Sequence, residues 1–269
     1  MYTHYYSSSN LYHASVPILM GTRFDALLFG ASELLLAEIW EEIYSIVKHL
    51  ESILNRFDPS SVISKINESA AFLPQKVDPL IWDILLSAEH YNRLSSGLFD
   101  ISLGYASDII LDTSTQTVFF QTKDVTLDFG GYAKGFALKV ILDKLAAHSI
   151  SCAFLNFGDS SISTIGMHPH GSNWDVGIAN PYNKEQLLES ITLQNQSLSV
   201  SGNMPSHPVH ICNPLDRTLI CSKKMTYVVA ANPLDAEVLS TVAMIATPVQ
   251  FESIATKFEL DKYKIYNEL

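Results

Sequence analysis

Residues 126–136 read TLDFGGYAKGF. A β-like run meets two adjacent glycines, and an apolar-periodic segment opens directly behind them. Paired glycines mark a turn or a close approach of backbone. Lys134 stands where that helix would begin, the end that the helix dipole makes positive. A cation there points to something negative nearby. Strand, two glycines and helix is also how a backbone approaches a phosphate. The standard phosphate fingerprints GxxxxGK[ST] and GxGxxG are absent, however. Taken alone, the stretch reads more readily as a plain strand–helix turn with a solvent-facing lysine.

Working outward from this junction, Phe136, Val140, Ile141 and Leu145 give one helical face over roughly 133–148. Upstream, 115–129 reads as two strands about a turn at Lys123-Asp124. Asp78 and Pro79 supply an N-cap and an N1 proline for a helix over 79–95. Leu36, Ile39, Trp40, Ile43, Val47, Leu50, Leu54 and Phe57 recur at i, i+3, i+4 spacing, which predicts a long amphipathic helix. Residues 17–30 are strand-like around a Gly-Thr step, and the polar residues 1–15 read as a loose N-terminal arm. Downstream, 151–157, 174–181, 187–194, 197–203, 208–214 and 225–231 read as strands. Asn232-Pro233 then begins a helix. Clusters of strands with a few long helices argue an α+β fold.

The 269 residues suit one large domain or two small ones, and a 47% hydrophobic share supports a sizeable core. A formal net charge of −11 argues against nucleic acid as a partner. It leaves room for a small phosphorylated ligand, which needs only a local positive site. Cys152, Cys212 and Cys221 do not form a disulfide framework, so reduced thiols and a reducing compartment fit. No signal peptide and no membrane-spanning run is read from the chain as written. The expectation is therefore a cytoplasmic protein, with a periplasmic or membrane-associated one as the alternative if an export signal was removed.

Three further segments carry chemistry. In AEVLSTVA (236–243), Glu237 and Thr241 are one helical turn apart and offer oxygen ligands suited to a hard cation such as Mg²⁺. An ordinary helix with an exposed Glu is the plain alternative. In HPVHICNP (207–214), His207, His210 and Cys212 have partial soft-metal spacing. Strand alternation leaves His207 off the face shared by His210 and Cys212, so one acid–base histidine is favoured over zinc. In SSGLFDISLG (95–104), Gly97 and Gly104 bracket Phe99 and Asp100, an aromatic and an acid that suit a planar heterocycle. No GxSxG elbow is present.

Singly these motifs are weak, but their order is specific. MGTRF (20–24), LNRFDPSSVISKIN (54–67), SSGLFDISLG, LDFGGYAKGFA (127–137), FLNFGD (154–159), WDVGIANP (174–181), SLSVSGN (197–203), HICNP (210–214) and AEVLSTVA follow one another. Over roughly 17–250 the chain resembles the ApbE-type flavin transferases, the FAD:protein FMN transferases. That resemblance implies a single domain over 16–269, built as two tandem T-fold-like halves. It implies Mg²⁺-dependent transfer of FMN from FAD to a Ser or Thr hydroxyl of an acceptor protein, a redox-protein subunit carrying Asp-x-x-Ser/Thr-Gly-Ala-Ser/Thr, with release of AMP. It further implies flavin-nucleotide contacts from Met20, Phe57, Leu98, Phe99, Asp100, Lys134 and Ile211. The metal ligands would be the Gly131 carbonyl, Glu237 and Thr241, with His210 catalytic near the pyrophosphate. The chain departs from the family pattern in having Glu237 for an aspartate and Val209-His210 for a His-His pair. Two alternatives stay open: an FAD-binding protein without turnover, and an FAD pyrophosphatase.

Overall fold

The structure is a computed structural model describing residues 1–171, 173–205 and 209–269. The chain starts with β1 (Tyr2–Tyr6), β2 (Leu11–Leu19), β3 (Thr22–Phe29), α1 (Glu33–Leu54) and α2 (Val62–Ser69). Next come β4 (Gln75–Lys76), α3 (Pro79–Leu94), β5 (Ile109–Asp112), β6 (Thr117–Phe120) and α4 (Ala133–Ala147). The second half brings β7 (Ala153–Phe157), β8 (Ser161–Ile165), β9 (Trp174–Asn180), β10 (Asn183–Leu193) and β11 (Ser197–Gly202). It ends with β12 (Cys212–Asn213), β13 (Thr218–Leu219), β14 (Met225–Ala230), α5 (Pro233–Ile245), α6 (Pro248–Ala255) and β15 (Leu260–Tyr266).

Eight strands form one antiparallel sheet in the order β1-β2-β3-β7-β8-β11-β14-β15. This is the expected α+β class. Alternation decides which side of each strand is buried. Tyr12, Ala14 and Val16 of β2 and Phe24, Ala26 and Leu28 of β3 turn toward α1 and α4, where they pack on Trp40, Ile43 and Ile141. Residues of the opposite face, such as Phe29, Ile162, Leu198 and Tyr227, are covered by Trp174, Ile178 and Ile191 of the β9–β10 ribbon. A third cluster gathers α2, α3, α5 and α6 around Phe99, Phe129 and Tyr132.

Helix starts follow the local chemistry. Ser32, Ser61, Asp78, Asn232 and Thr247 each accept a backbone N–H of the first turn, and prolines occupy the first turn of α3, α5 and α6. The start of α4 is the exception: Tyr132 caps it without a side-chain bond. No described helix is long and apolar enough to cross a membrane.

Several sequence readings change. Residues 1–15 are not a loose arm but the β1–β2 hairpin at the sheet edge, because Tyr12 and Ala14 continue the inward alternation of the core. Residues 115–129 hold one strand, β6, rather than two. Val125, Leu127 and Phe129 still alternate inward, but the side chain of Asn67 takes a strand's place. Leu127 N–H donates to Asn67 Oδ1 at 2.8 Å, and Asn67 Nδ2 donates to the Leu127 carbonyl at 3.1 Å. The strand expected over 208–214 shrinks to β12, so His210 and Ile211 lie before it. α1 ends at Leu54, which leaves Phe57 outside the helix and 79% exposed.

One ion-pair cluster ties the ribbon to the sheet. Lys262 Nζ meets Glu189 Oε1 at 2.6 Å, Lys264 Nζ meets Oε2 at 2.9 Å, and Tyr266 donates to Oε2 at 3.1 Å. The hydrogen bond from Lys262, then that from Lys264, holds the Glu189 carboxyl down at about 2. A depressed carboxyl contributes stability above its unfolded value of about 4.3 and loses it as pH falls toward the folded one. Both lysines are about half exposed, so the pairing is discounted to about 1 kcal/mol. Glu189→Gln is expected to lower Tm by roughly 2–4 °C at pH 7. The difference should vanish near pH 2, as followed by thermal melts at both pH values.

Candidate functional site

The site is assembled where α4 packs on α5, and α5 on β8 and β11. Gly130 and Gly131 adopt negative φ, so they do not serve a left-handed turn. Gly131 serves proximity: a Cβ there would stand 3.1 Å from Thr241 Oγ1 and 3.7 Å from the Phe99 ring. Asp128 shapes the approach, its Oδ1 accepting the Gly130 N–H at 2.8 Å. Asp128 Oδ2 forms an ion pair with Arg56 at 2.8 Å.

Lys134, in the first turn of α4, pairs with Glu237 Oε1. The other carboxylate oxygen of Glu237, Oε2, accepts Ser161 Oγ at 2.6 Å and Ser199 Oγ at 2.8 Å. Glu237 is only 4% exposed, so the exposed glutamate of the plain reading is replaced by a buried, fully partnered one. Burial of a carboxylate demands such partners. The hydroxyls continue as a chain: Ser199 lies 3.0 Å from Ser240 Oγ, and Ser201 lies 2.8 Å from Ser240 Oγ.

The 95–104 loop is locked from within. Asp100 Oδ1 accepts Ser102 N–H at 2.8 Å and Ser102 Oγ at 2.6 Å, and its Oδ2 accepts Gly104 N–H at 2.9 Å. Phe99 lies among Tyr91 and Tyr132, with ring centroids 6.2 and 6.4 Å away. Burial pushes the Tyr132 phenol up to about 12, and burial with the Asp235 carboxylate raises Tyr91 further. Both rings are therefore neutral packing partners of the loop.

These elements enclose a cavity of about 520 Å³. Ten of the eleven residues that the resemblance implies line it: Phe57, Leu98, Phe99, Asp100, Gly131, Lys134, His210, Ile211, Glu237 and Thr241. The eleventh, Met20, lines an adjoining cavity of about 390 Å³ that shares Arg56, Phe57, Asp128, Gly130 and Lys134 with the first. Met20 sits at φ +51° in the β2–β3 turn, and its N–H donates to Glu51 Oε1 at 2.7 Å. His207 lies outside the described residues. Among the described residues no group of three or more His, Cys, Asp or Glu could hold a metal.

The donor set nevertheless fits Mg²⁺ in one particular way. Gly131, Thr241 and Glu237 all line the cavity and carry hard oxygen donors, and a cation already sits against Glu237 in the form of the Lys134 ammonium. Mg²⁺ is commonly held by one or two carboxylates together with substrate phosphates rather than by an all-protein cage.

Sequence reading missed Arg56, Asp128, Ser161, Ser199 and Ser201. Ser199 and Ser201 had a signal: with Ser197 they alternate along SLSVSG, a period that places them on one strand face. Asp128 and Arg56 stand inside quoted motifs, but no local signal joins them, because their pairing links distant segments.

The comparisons with known proteins agree with one another. A family model described as "ApbE family" matches residues 20–110 and 104–264. The FAD:protein FMN transferase of Chlamydia muridarum is 26% identical over 61% of this chain and 58% of its own length. That of Klebsiella pneumoniae is 23% identical over 72% of this chain and 67% of its own. This chain thus spans roughly three fifths to two thirds of these curated relatives. The structure of the flavin transferase ApbE from Vibrio cholerae superposes with a TM-score of 0.79 at 17% identity, over 97% of each chain. The apo flavinyl transferase ApbE of Pseudomonas stutzeri gives 0.77 at 17% identity, over 100% of this chain and 96% of its own. The chain belongs to the ApbE family.

Proposed function

We propose that the protein transfers FMN from FAD to a Ser or Thr hydroxyl of an acceptor protein and releases AMP. The observation that carries this reading is the convergence of ten expected residues on one cavity, with a histidine at its exposed side and a cation-bearing carboxylate inside. A nucleotide spanning both cavities would pass Lys134 and Gly130, which line the two of them. In the reaction the acceptor oxygen bonds to the phosphorus on the riboflavin side. The bond from that phosphorus to the bridging oxygen breaks, and AMP leaves with the bridging oxygen. His210 takes the hydroxyl proton. Gly131, Glu237 and Thr241 would hold Mg²⁺, which supplies neutralisation of phosphate charge when bound. Lys134 contributes a second positive charge to the pyrophosphate. The exposed position of His210 suits a base whose substrate hydroxyl arrives on another protein.

A second reading has its own observation. Lys134 already neutralises Glu237, which suits a flavin binder that needs no metal. One experiment separates the readings. The protein is incubated with FAD and Mg²⁺, with and without an acceptor domain carrying Asp-x-x-Ser/Thr-Gly-Ala-Ser/Thr, and the products are weighed by mass spectrometry. FMN transfer is expected to give AMP and an FMN increment on the acceptor. AMP with free FMN and no acceptor increment would indicate a pyrophosphatase. Bound FAD without AMP would indicate the binder.

A further inference from the structure

Glu237 and Lys134 raise a question of accounting. Both are needed by the proposed reaction, one for a metal and one for a phosphate, yet they are bound to each other. We propose that Lys134 is an exchangeable resident cation: it holds Glu237 until a divalent ion takes Oε1, and the released ammonium then binds the pyrophosphate. This inference rests on the FMN-transfer reading and deepens it.

The surroundings decide which partner moves. Glu237 is anchored twice on Oε2, by Ser161 and Ser199, which are 2% and 3% exposed. Its helix α5 is packed against β11 and β14. The carboxylate therefore stays. Lys134 has no such anchor: its only hydrogen bond among the described contacts goes to Oε1. Its side chain is 20% exposed and lines both cavities, so it has open space on either side. A long flexible ammonium beside a fixed carboxylate is the mobile member of the pair.

Charge gives the exchange its purpose. Paired with each other, Glu237 and Lys134 are neutral, and a pyrophosphate gains little by entering. An ammonium and a dication also repel each other on one carboxylate oxygen. Once the ion has displaced the ammonium, the three together carry a surplus of two positive charges, matching the two negative charges of a dinucleotide pyrophosphate. Metal and nucleotide should then each strengthen the other's binding, because coupling between sites is reciprocal. Ser161 and Ser199 are the positioning residues of this device: they fix Oε2 so that Oε1 alone faces the cations.

The test uses Mn²⁺ as the probe, titrated by electron paramagnetic resonance into the full chain. Without nucleotide, Lys134→Met is expected to bind Mn²⁺ roughly 10-fold more tightly than the unmodified protein, within the usual range of coupling between sites. Adding FAD should tighten Mn²⁺ binding by a similar factor in the unmodified protein and by much less in Lys134→Met. Lys134→Gln, which keeps a donor for Oε1 without the charge, should behave like Lys134→Met and serves if that variant does not fold. Neutral variants that bind Mn²⁺ no more tightly than the unmodified protein would overturn the exchange. Glu237→Gln distinguishes the failures. If it abolishes Mn²⁺ binding while the lysine variants show no gain, the metal site stands and the exchange falls. If it leaves Mn²⁺ binding unchanged, the ion sits elsewhere, and the metal site and the exchange fall together. Acceptor mass scores FMN transfer separately.

Discussion

His210→Ala is expected to slow FMN transfer to an acceptor by about 10²–10⁴-fold, the usual contribution of a positioned general base. FAD binding should change little. The expectation comes from where the residue is held. His210 is exposed while its neighbour Ile211 is buried at 7% exposure. The Ile211 carbonyl accepts the Ile220 N–H at 2.8 Å. Asn203, at the end of β11, donates to the carbonyls of Ile220 and Ser222 at 2.7 and 2.8 Å. The segment is thus pinned from behind while the imidazole faces the cavity. Removing the ring takes away a proton acceptor without removing the walls that hold a flavin nucleotide. A loss in turnover with nearly unchanged substrate affinity is the signature of an interaction made chiefly in the transition state. AMP release, acceptor mass and a fluorescence titration with FAD would check it together. Transfer at an undiminished rate would remove His210 from the mechanism.

Gly135→Ala is expected to destabilise the fold by about 2 kcal/mol and to lower Tm by roughly 4–8 °C. Two effects compete. Alanine in a helix is favoured over glycine by about 1 kcal/mol. Against this, a Cβ at residue 135 would lie 2.5 Å from Glu237 Cβ, 2.8 Å from the Pro233 carbonyl oxygen and 3.1 Å from Leu234 Cα. Two of these three are backbone atoms, and the third is fixed directly to the α5 backbone, so no side-chain rotation relieves the overlap. The helices must separate, and overlap outweighs propensity. The same separation pulls Gly131, just ahead of α4, away from Glu237 and Thr241 of α5, so the proposed metal ligands part, and Mn²⁺ and FAD affinities should fall along with Tm. A thermal melt alongside those titrations tests it; an unchanged or raised Tm would show that α4 and α5 can part at no cost.

Much of the molecule was legible because its causes are local. Asp78-Pro79 and Asn232-Pro233 announced two helix starts, since a capping side chain and an N1 proline act within one turn. The apolar spacing from Leu36 to Leu54 predicted α1 for the same reason. Errors arose where a distant residue substitutes for a local signal. Residues 125–129 carry strand alternation, but their hydrogen bonds go to Asn67 and Ile101. The hairpin β1–β2 looked like an arm because Tyr, Ser and His dominate its sequence. Its burial depends on the layer it meets rather than on its composition.

The same division runs through the site. The sequence by itself determined the junction at 126–136, the i, i+4 placement of Glu237 and Thr241, and the ordered motifs whose residues share one cavity. Only the tertiary structure decided what the lysine at the helix start is for. Its partner lies 103 residues away. Gly135 admits that partner, and Gly131 admits Thr241, by lacking a Cβ and not by adopting a positive φ. Helical period and capping act over a few residues and are written in order along the chain. A buried charge is satisfied by whatever the fold brings to it, and that is settled only when α4 and α5 pack.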